Sequence, residues 1–216
     1  MAAVDNPAVA EQPSTPPEFD LTIAEAAAWV GSGPDGIGQG PPAGAEELPE
    51  LDIDGDDPAV ALRQTLGMFA TGVTVITTLA KEQVHGMTAN AFMSVSLEPP
   101  LVLISVDRRT KMCNLLYEGQ RFAVSILASD QRELSDQFAG RPADDDAPEP
   151  SFGIVHETPV VEGAAAHFVA RIDRSYWGGD HSLFLGRVEY AHHDEGAVPL
   201  LFHGGQYGVL GGGSDG

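Results

Sequence analysis

Residues 84–100 read Val-His-Gly-Met-Thr-Ala-Asn-Ala-Phe-Met-Ser-Val-Ser-Leu-Glu-Pro-Pro. The run is nearly free of charge, carries hydroxyl groups at Thr88, Ser94 and Ser96, and ends at a double proline. Because proline lacks the amide N–H that a strand needs, we expect one strand over residues 84–96 that stops before Pro99. Such a strand offers backbone amides and small hydroxyl groups to a flat ligand. The stretch therefore predicts a site for an aromatic cofactor.

The flanking sequence predicts a mainly β fold with short helices. Asp57 and Pro58 form a cap-and-first-residue pair for a helix that Gly72 ends, with Leu62, Leu66 and Phe69 at helical spacing. Two more short helices are expected over residues 110–116 and 129–138, the second capped by Ser129 or Asp130. Further strands are expected over residues 73–79, 101–106, 121–127, 165–176, 181–193, 200–203 and 206–210. Strands joined by short turns predict a closed antiparallel barrel decorated by helices.

Composition divides the chain into three parts. Residues 1–57 hold 13 of the 32 acidic residues, none of the 11 basic ones and 8 of the 16 prolines, which predicts a disordered extension. Residues 58–210 form the predicted domain, and residues 211–216 a flexible tail. A net charge of -21 repels phosphate backbones and anionic lipid, so nucleic-acid and membrane binding are disfavoured.

The single cysteine, Cys113, excludes an intramolecular disulfide and a zinc site built on several thiolates. The chain shows neither a basic and apolar leader nor an apolar run of about 18 residues. These features predict a cytoplasmic protein. We expect Cys113 to be a small apolar helix residue.

Three common nucleotide and hydrolase motifs are absent: Gly-x-Gly-x-x-Gly, the P-loop and Gly-x-Ser-x-Gly. Arg108, Arg109 and Lys111 instead form a basic cluster at the predicted start of a helix near Thr110. Unpaired amides at such a start attract phosphate. The cluster is interpreted either as an anion site or as a solvated turn, and three cations within four residues of an acidic chain favour the anion site.

Gly178-Gly179-Asp180-His181 reads as a hairpin turn, because glycine supplies the positive φ that such turns require. His181 can also sit at a cleft rim and orient a second ligand, and the two interpretations are compatible. A metal site could be built from His192, His193, Asp194 and His203, but the sequence does not favour it. His192 and His193 are adjacent in a predicted strand, so their side chains point to opposite faces and cannot both bind one ion without distortion. We expect no metal.

Three blocks together resemble the flavin reductase family, the reductase components of two-component flavin-dependent monooxygenases. They are Arg63-Gln-Thr-Leu-Gly-Met-Phe-Ala-Thr-Gly-Val-Thr-Val-Ile-Thr-Thr78, Gly86-Met-Thr-Ala-Asn-Ala-Phe-Met-Ser-Val-Ser-Leu-Glu-Pro-Pro100 and Gly179-Asp-His181. The resemblance covers residues 58–210 and implies an FMN-binding split β-barrel. It implies hydride transfer from NADH or NADPH to FMN or FAD, a homodimer, and release of reduced flavin to a partner monooxygenase.

The resemblance also implies roles for particular residues. Gly179, Asp180 and His181 would bind the nicotinamide, and no catalytic acid or base would be strictly required. The flavin would be bound by Gly86, Met87, Thr88, Ala89, Asn90, Ala91, Ser105, Val106, Asp107, Thr110 and Lys111, with the last two at its phosphate. The alternative is a non-catalytic flavin-binding or electron-carrier protein on the same fold. A weaker alternative is an interaction protein that acts through its acidic extension.

Overall fold

The computed structural model describes residue 53, residues 57–141 and residues 149–211. The disordered extension predicted over residues 1–57 lies outside the described residues except at residues 53 and 57, and the flexible tail predicted over residues 211–216 lies outside them except at residue 211. The described part of the chain contains twelve strands and three short helices, so the prediction of a mainly β fold is confirmed. The strands are β1 (Thr71–Gly72), β2 (Thr74–Ala80), β3 (Gln83–Ala89), β4 (Phe92–Leu97), β5 (Pro100–Asp107), β6 (Arg121–Ile126), β7 (Phe152–Val155), β8 (Thr158–Val161), β9 (Ala166–Gly178), β10 (His181–His193), β11 (Leu200–His203) and β12 (Gln206–Val209). The helices are α1 (Pro58–Gly67), α2 (Lys111–Leu115) and α3 (Arg132–Phe138).

Seven strands form one antiparallel sheet in the order β3-β2-β6-β9-β10-β5-β4. Its two edge strands, β3 and β4, are consecutive in the chain and are linked only by Asn90 and Ala91. Consecutive Cα atoms are 3.8 Å apart, so Ala89 and Phe92 are at most about 11 Å apart. The sheet must therefore curl until its edges meet at this link. This is the split barrel implied by the resemblance.

The prediction of one strand over residues 84–96 is wrong, because this stretch is two strands at opposite edges of the sheet. β3 pairs with β2 and β4 pairs with β5, while Ser105 N donates to Ala91 O across the link at 3.0 Å. Asn90 and Ala91 leave the regular ladder so that the chain can cross from one edge to the other. We call these two residues the crossover.

The barrel interior is filled by apolar side chains from both edges and the centre of the sheet. Ile76, Val106, Phe122 and Phe184 are fully buried there, and Met87, Ala89 and Phe92 pack against them. Helix α2 and the residue that follows it close the interior with Met112, Cys113 and Leu116, each about 1% exposed or less. Cys113 is thus a buried core residue, as expected.

A second core lies outside the barrel, where α3 and the β1-β11-β12 sheet pack against β2 and β3. Gly86 fits this contact closely, since a Cβ there would lie 2.5 Å from the Phe138 ring. The β7-β8 hairpin contributes Phe152 and Val161 to the same core and was not among the predicted strands. Its proline and glycine content hid the strand pattern.

The predicted helix starts are partly correct. Asp57 Oδ1 accepts from Ala59 N at 3.0 Å and from Val60 N at 3.3 Å, as an N-cap does. The predicted end at Gly72 is wrong, because α1 ends at Gly67, whose carbonyl accepts from Gly204 N at 2.8 Å. Ser129 and Asp130 do not cap α3, which follows the turn closed by Gln131 N and Ala128 O at 2.9 Å.

Helix α1 also differs from expectation in its packing. Leu62, Leu66 and Phe69 have helical spacing, yet all three side chains are exposed in the single chain. None of the α1 residues is buried. Among the described helices, none is long and apolar enough to cross a membrane.

Candidate functional site

The β9-β10 hairpin brings the predicted nicotinamide and flavin segments together. Gly179 and Asp180 form its two-residue turn, and Gly179 has a φ of +74°, which glycine adopts without strain. His181 is paired with Asp107 and Ser182 with Val106 on the neighbouring strand β5. Arg108 N donates to Asp180 O at 3.0 Å, which fixes the turn against the start of the next loop. The two predicted sites therefore share one edge of the barrel.

Asp107 holds the loop after β5 in place. Its carboxylate accepts from Arg109 N at 2.8 Å and from Arg109 Nη2 at 2.6 Å. These hydrogen bonds hold the pKa of Asp107 well below its usual range. Asp107 therefore stays ionised at neutral pH, and the guanidinium of Arg109 is already paired with its carboxylate.

Asp180 orients the imidazole of His181. His181 Nδ1 lies 2.7 Å from Asp180 Oδ1, and this hydrogen bond lowers the pKa of Asp180. An ionised carboxylate only accepts hydrogen bonds, so Nδ1 is the donor and Nε2 remains available to a ligand. The His181 side chain is 38% exposed, which leaves it accessible at the barrel edge.

Thr110 caps α2 with its hydroxyl group. Oγ1 accepts from Cys113 N at 3.2 Å and donates to Asp107 O at 2.7 Å. Its hydroxyl hydrogen is thus already used. A phosphate here would be bound by Lys111 and Arg108, which form no ion pair within residues 57–141 and 149–211.

His85, on β3, lies close enough to Lys111 to feel its charge. Burial lowers the pKa of His85, and the positive charge of Lys111 lowers it further.

Most of the predicted ring-binding residues of β3 pack inside the protein. Met87 and Ala89 face the barrel interior, whereas Gly86 contacts Phe138 and Thr88 Oγ1 donates to Ser135 O at 2.7 Å. On β5, the side chain of Val106 is fully buried, so only its backbone can face a ligand. Among the predicted ring-binding residues, the crossover pair of Asn90 and Ala91 is exposed.

Two cavities meet at Asn90. The larger, about 290 Å³, is mostly apolar and is lined by Phe69, Ala70, Thr71, Gly72, Thr74, Asn90, Phe92 and Ile126. Thr71 Oγ1 is buried without a hydrogen-bond partner among the described residues. The smaller, about 140 Å³, is more polar and is lined by Val73, Thr88, Asn90, Ser135, Ala139, Arg141, Phe202 and Tyr207. Asn90 thus borders open space beside the crossover, as the binding of a flat ligand requires.

Sequence reasoning missed most residues of these cavities. Arg141 has no role in the sequence-based predictions, Tyr207 lies in a predicted strand and Phe69 has helical spacing in a predicted helix. They come from segments far apart in the chain, and only the packing of α3 and β12 beside β3 brings them to the crossover. No local pattern could have found them.

The histidines of β10 form no metal site in the described chain, where no group of three or more His, Cys, Asp or Glu residues is arranged to hold an ion. His192 instead lies across from His167 on β9, with ring centroids 5.3 Å apart. Burial lowers the pKa of His167, and the neighbouring His192 lowers it further. His167 Nε2 is buried without a hydrogen-bond partner in the described residues.

A split barrel with an apolar cavity, the cationic side chains of Arg108 and Lys111 and the oriented imidazole of His181 has the features of a nucleotide-binding protein. The family described as "Flavin reductase like domain" matches residues 66–211, more than half of the chain. An NADH-dependent flavin reductase of Rhodococcus sp is 44% identical over 160 residues, covering 71% of this chain and 89% of the relative. The reductase component of 4-hydroxyphenylacetate 3-monooxygenase from Thermus thermophilus is 41% identical over 142 residues, covering 66% and 90%.

A solved structure agrees with these relatives. The NADH:FAD oxidoreductase SgcE6 of Streptomyces globisporus, in complex with NAD and FAD fragments, has a TM-score of 0.68 and 38% identity. The match covers 79% of this chain and 100% of that chain.

The chain belongs to the flavin reductase family. It is an oxidoreductase that transfers hydride from a reduced nicotinamide nucleotide to a flavin, so the predicted family, activity and cofactor classes are confirmed. Because this family consists of enzymes, its match argues against the alternative of a non-catalytic flavin-binding or electron-carrier protein.

Proposed function

We propose that the protein uses NADH to reduce FMN or FAD and supplies the reduced flavin to a separate flavin-dependent monooxygenase. The observation that supports this proposal is the pairing of His181 with Asp107, because His181 belongs to the segment predicted to bind nicotinamide and Asp107 to the segment predicted to bind flavin. Relatives named as NADH-dependent reductases and as monooxygenase reductase components support the choice of nucleotide and partner.

The two cofactors supply the chemistry, since hydride passes from C4 of the reduced nicotinamide to N5 of the flavin when both are bound. The protein contributes position. Asp180 fixes the His181 ring so that Nε2 is presented at the barrel edge, and Asp107 holds Arg109 so that the loop to α2 keeps its shape. Holding two reactants in one geometry removes much of the entropic barrier to their reaction.

The crossover and the larger cavity fit a flat ring. Phe69 and Phe92 give this cavity apolar walls, and Asn90 gives it a polar rim. We assign the nicotinamide to Gly179, Asp180 and His181. We assign the flavin ring to Asn90 and Ala91 directly, to Gly86, Met87, Thr88 and Ala89 as the strand that positions them, and to the backbone of Ser105, Val106 and Asp107. We assign its phosphate to Lys111 and Arg108, at the start of α2 that Thr110 caps.

A turnover assay with all four pairs of FMN or FAD with NADH or NADPH tests this function. We expect oxidation of NADH by an excess of flavin, followed as loss of absorbance at the nicotinamide band. Flavin binding without nicotinamide oxidation would reject the proposal. Adding a purified monooxygenase of the same source then tests delivery of the reduced flavin.

We also propose a homodimer that covers an exposed apolar surface formed by β4 and by residues 66–69 at the end of α1, which we call the α1 and β4 surface. Leu97 is 91% exposed and Phe69 is 79% exposed, and Leu66, Met68 and Met93 are exposed as well. β4 is an edge strand, and exposed apolar patches of this kind mark interaction surfaces. A second copy of the chain would bury this surface next to the larger cavity, which Phe69 also lines.

The division at residue 58 stays a proposal. The Asp57 cap at the start of α1 and the family match from residue 66 support it. A variant that lacks residues 1–56 keeps this cap, and an unchanged turnover rate would support the division.

Cytoplasmic localisation is likewise proposed, because reduced nicotinamide nucleotides are intracellular substrates. Cell fractionation tests this localisation.

A further inference from the structure

The smaller cavity lies outside the barrel, between the end of β3, helix α3 and the β11-β12 hairpin. Its volume of about 140 Å³ is below the roughly 300–1,000 Å³ of sites that hold a whole drug-sized ligand. It therefore suits a fragment of a larger molecule. Asn90 lines this cavity and the larger one, so a ligand bound at the crossover can reach from one into the other.

A hydrogen-bond network fixes the shape of the cavity. Ser135 is fully buried, and its Oγ lies 2.9 Å from Tyr207 Oη. Tyr207 Oη donates to Asp136 Oδ1 at 2.8 Å, and Thr88 Oγ1 donates to Ser135 O. Burial raises the pKa of Tyr207, so the phenol stays neutral and keeps donating. The wall that faces a ligand is thus set before the ligand binds.

Among the residues that line the cavity, Arg141 alone is charged, and it is a cation in a chain of net charge -21. Asp136 is the one carboxylate of the network, and it is paired with Arg141 at 2.5 Å and with Arg132 at 3.9 Å. Arg141 lines the cavity and its side chain is 55% exposed. A guanidinium has five N–H donors, so Arg141 retains donors for an anion after it has bound Asp136.

Aromatic and apolar side chains form the rest of the wall. The rings of Phe202 and Tyr207 pack edge to face with centroids 5.4 Å apart, and Val73 adds an aliphatic surface. Aromatic side chains beside an arginine suit a planar base that carries a phosphate, because the base stacks while the guanidinium binds the anion.

We propose that this cavity binds the adenylate half of a dinucleotide that reacts at the crossover. FAD and NADH both carry an adenylate, whereas FMN lacks one. The inference rests on the proposed function for the reaction itself, and it adds a second contact point for the dinucleotide at Arg141, Phe202 and Tyr207.

Steady-state kinetics of Arg141→Gln with three substrates tests this inference. Losing a hydrogen bond to a charged group predicts an increase in KM of about tenfold for the dinucleotide that uses the cavity. An increase for FAD, with KM for FMN and NADH unchanged, assigns the cavity to the flavin adenylate. An increase for NADH with either flavin, with both flavin KM values unchanged, assigns it to the nicotinamide adenylate.

Arg187→Gln is the matched control. Arg187 pairs with Asp173 and is 50% exposed, close to the 55% of Arg141, and it does not line the cavity. We expect the control to leave all three KM values within about twofold of the wild-type values. Unchanged KM values in Arg141→Gln, or a rise that includes FMN and is shared by the control, would overturn the inference.

Isothermal titration with AMP separates this inference from the proposed function. AMP should bind the wild-type protein and bind Arg141→Gln at least fivefold more weakly. A wild-type protein that binds AMP in this way but does not oxidise NADH would reject the reductase proposal alone. A wild-type protein that turns over FMN but shows no difference in AMP binding from Arg141→Gln would reject the cavity alone.

Discussion

His181 and Asp107 lie opposite each other on the adjacent antiparallel strands β10 and β5. Arg108 N, directly after Asp107, donates to the carbonyl of Asp180 before His181. The pairing and this hydrogen bond join the hairpin predicted to bind nicotinamide to the segment predicted to bind flavin. A single edge of the barrel can therefore hold both reactants.

Replacing His181 with alanine should raise KM for NADH more than it changes flavin affinity. The imidazole presents Nε2 at the barrel edge and needs no proton transfer for its proposed role, so kcat at saturating NADH should fall less than kcat/KM. Steady-state kinetics and flavin fluorescence titration measure the two effects. His193→Ala, at the other end of the same strand, is the control, and an unchanged KM for NADH in His181→Ala would reject the role of His181.

Stability should fall as the pH decreases below about 6.5, the ordinary pKa of histidine. His85 and His167 have lowered pKa values in the folded protein, mainly through burial. The unfolded chain then binds more protons than the folded one in this range, so unfolding becomes more favourable as the pH falls and the loss levels off below the folded pKa values.

Urea unfolding at pH 7.5 and pH 5.5 measures this effect. His167→Gln should reduce the difference in unfolding free energy between the two pH values, whereas the exposed His193→Gln should leave it unchanged. An equal or larger difference in His167→Gln would contradict the assignment.

Gly86→Ala should destabilise the protein by about 1–3 kcal/mol, as overpacking does. The added Cβ would lie 2.5 Å from the Phe138 ring and would push α3 away from β3. Gly208→Ala is a matched strand control, because nothing lies within 4 Å of its added Cβ. Thermal unfolding measures both variants, and Phe138→Leu in the Gly86→Ala background should recover part of the loss. A Gly86→Ala variant as stable as the wild type would show that this contact is loose.

Charged residues on the α1 and β4 surface should dissociate the proposed dimer. Light scattering of the wild-type protein should give twice the chain mass of 22.7 kDa, and Phe69→Glu or Leu97→Glu should lower it toward that mass. Ile154→Glu, which introduces the same charge at an exposed apolar residue of the separate β7-β8 hairpin, should leave the mass unchanged. A wild-type protein of single-chain mass would reject the dimer.

Much of the fold could be predicted from local sequence. Two glycines with Asp180 marked the β9-β10 turn, β-branched residues marked β2, and Asp57 with Pro58 marked the start of α1. The partners of β3 and β4 could not be predicted, because the period of two in a strand shows which residues share a face and not which strand lies alongside. The crossover at Asn90 and Ala91 was therefore read as the middle of one strand.

The candidate site was predicted in part for the same reason. Thr110, Lys111 and His181 lie in short motifs whose chemistry is visible in sequence. Arg141 and Tyr207 reach the crossover only through the packing of α3 and β12, and they contribute to it through tertiary contacts.

The central claim is direct hydride transfer from NADH to a flavin held at the same barrel edge. Anaerobic stopped-flow mixing of the protein and flavin with NADH, or with NADH deuterated at the transferred position of C4, tests it most directly. We expect flavin absorbance to decrease in step with NADH oxidation, and a slower decrease with the deuterated nucleotide. Flavin that binds to the protein but keeps its oxidised absorbance in the presence of NADH would contradict the account.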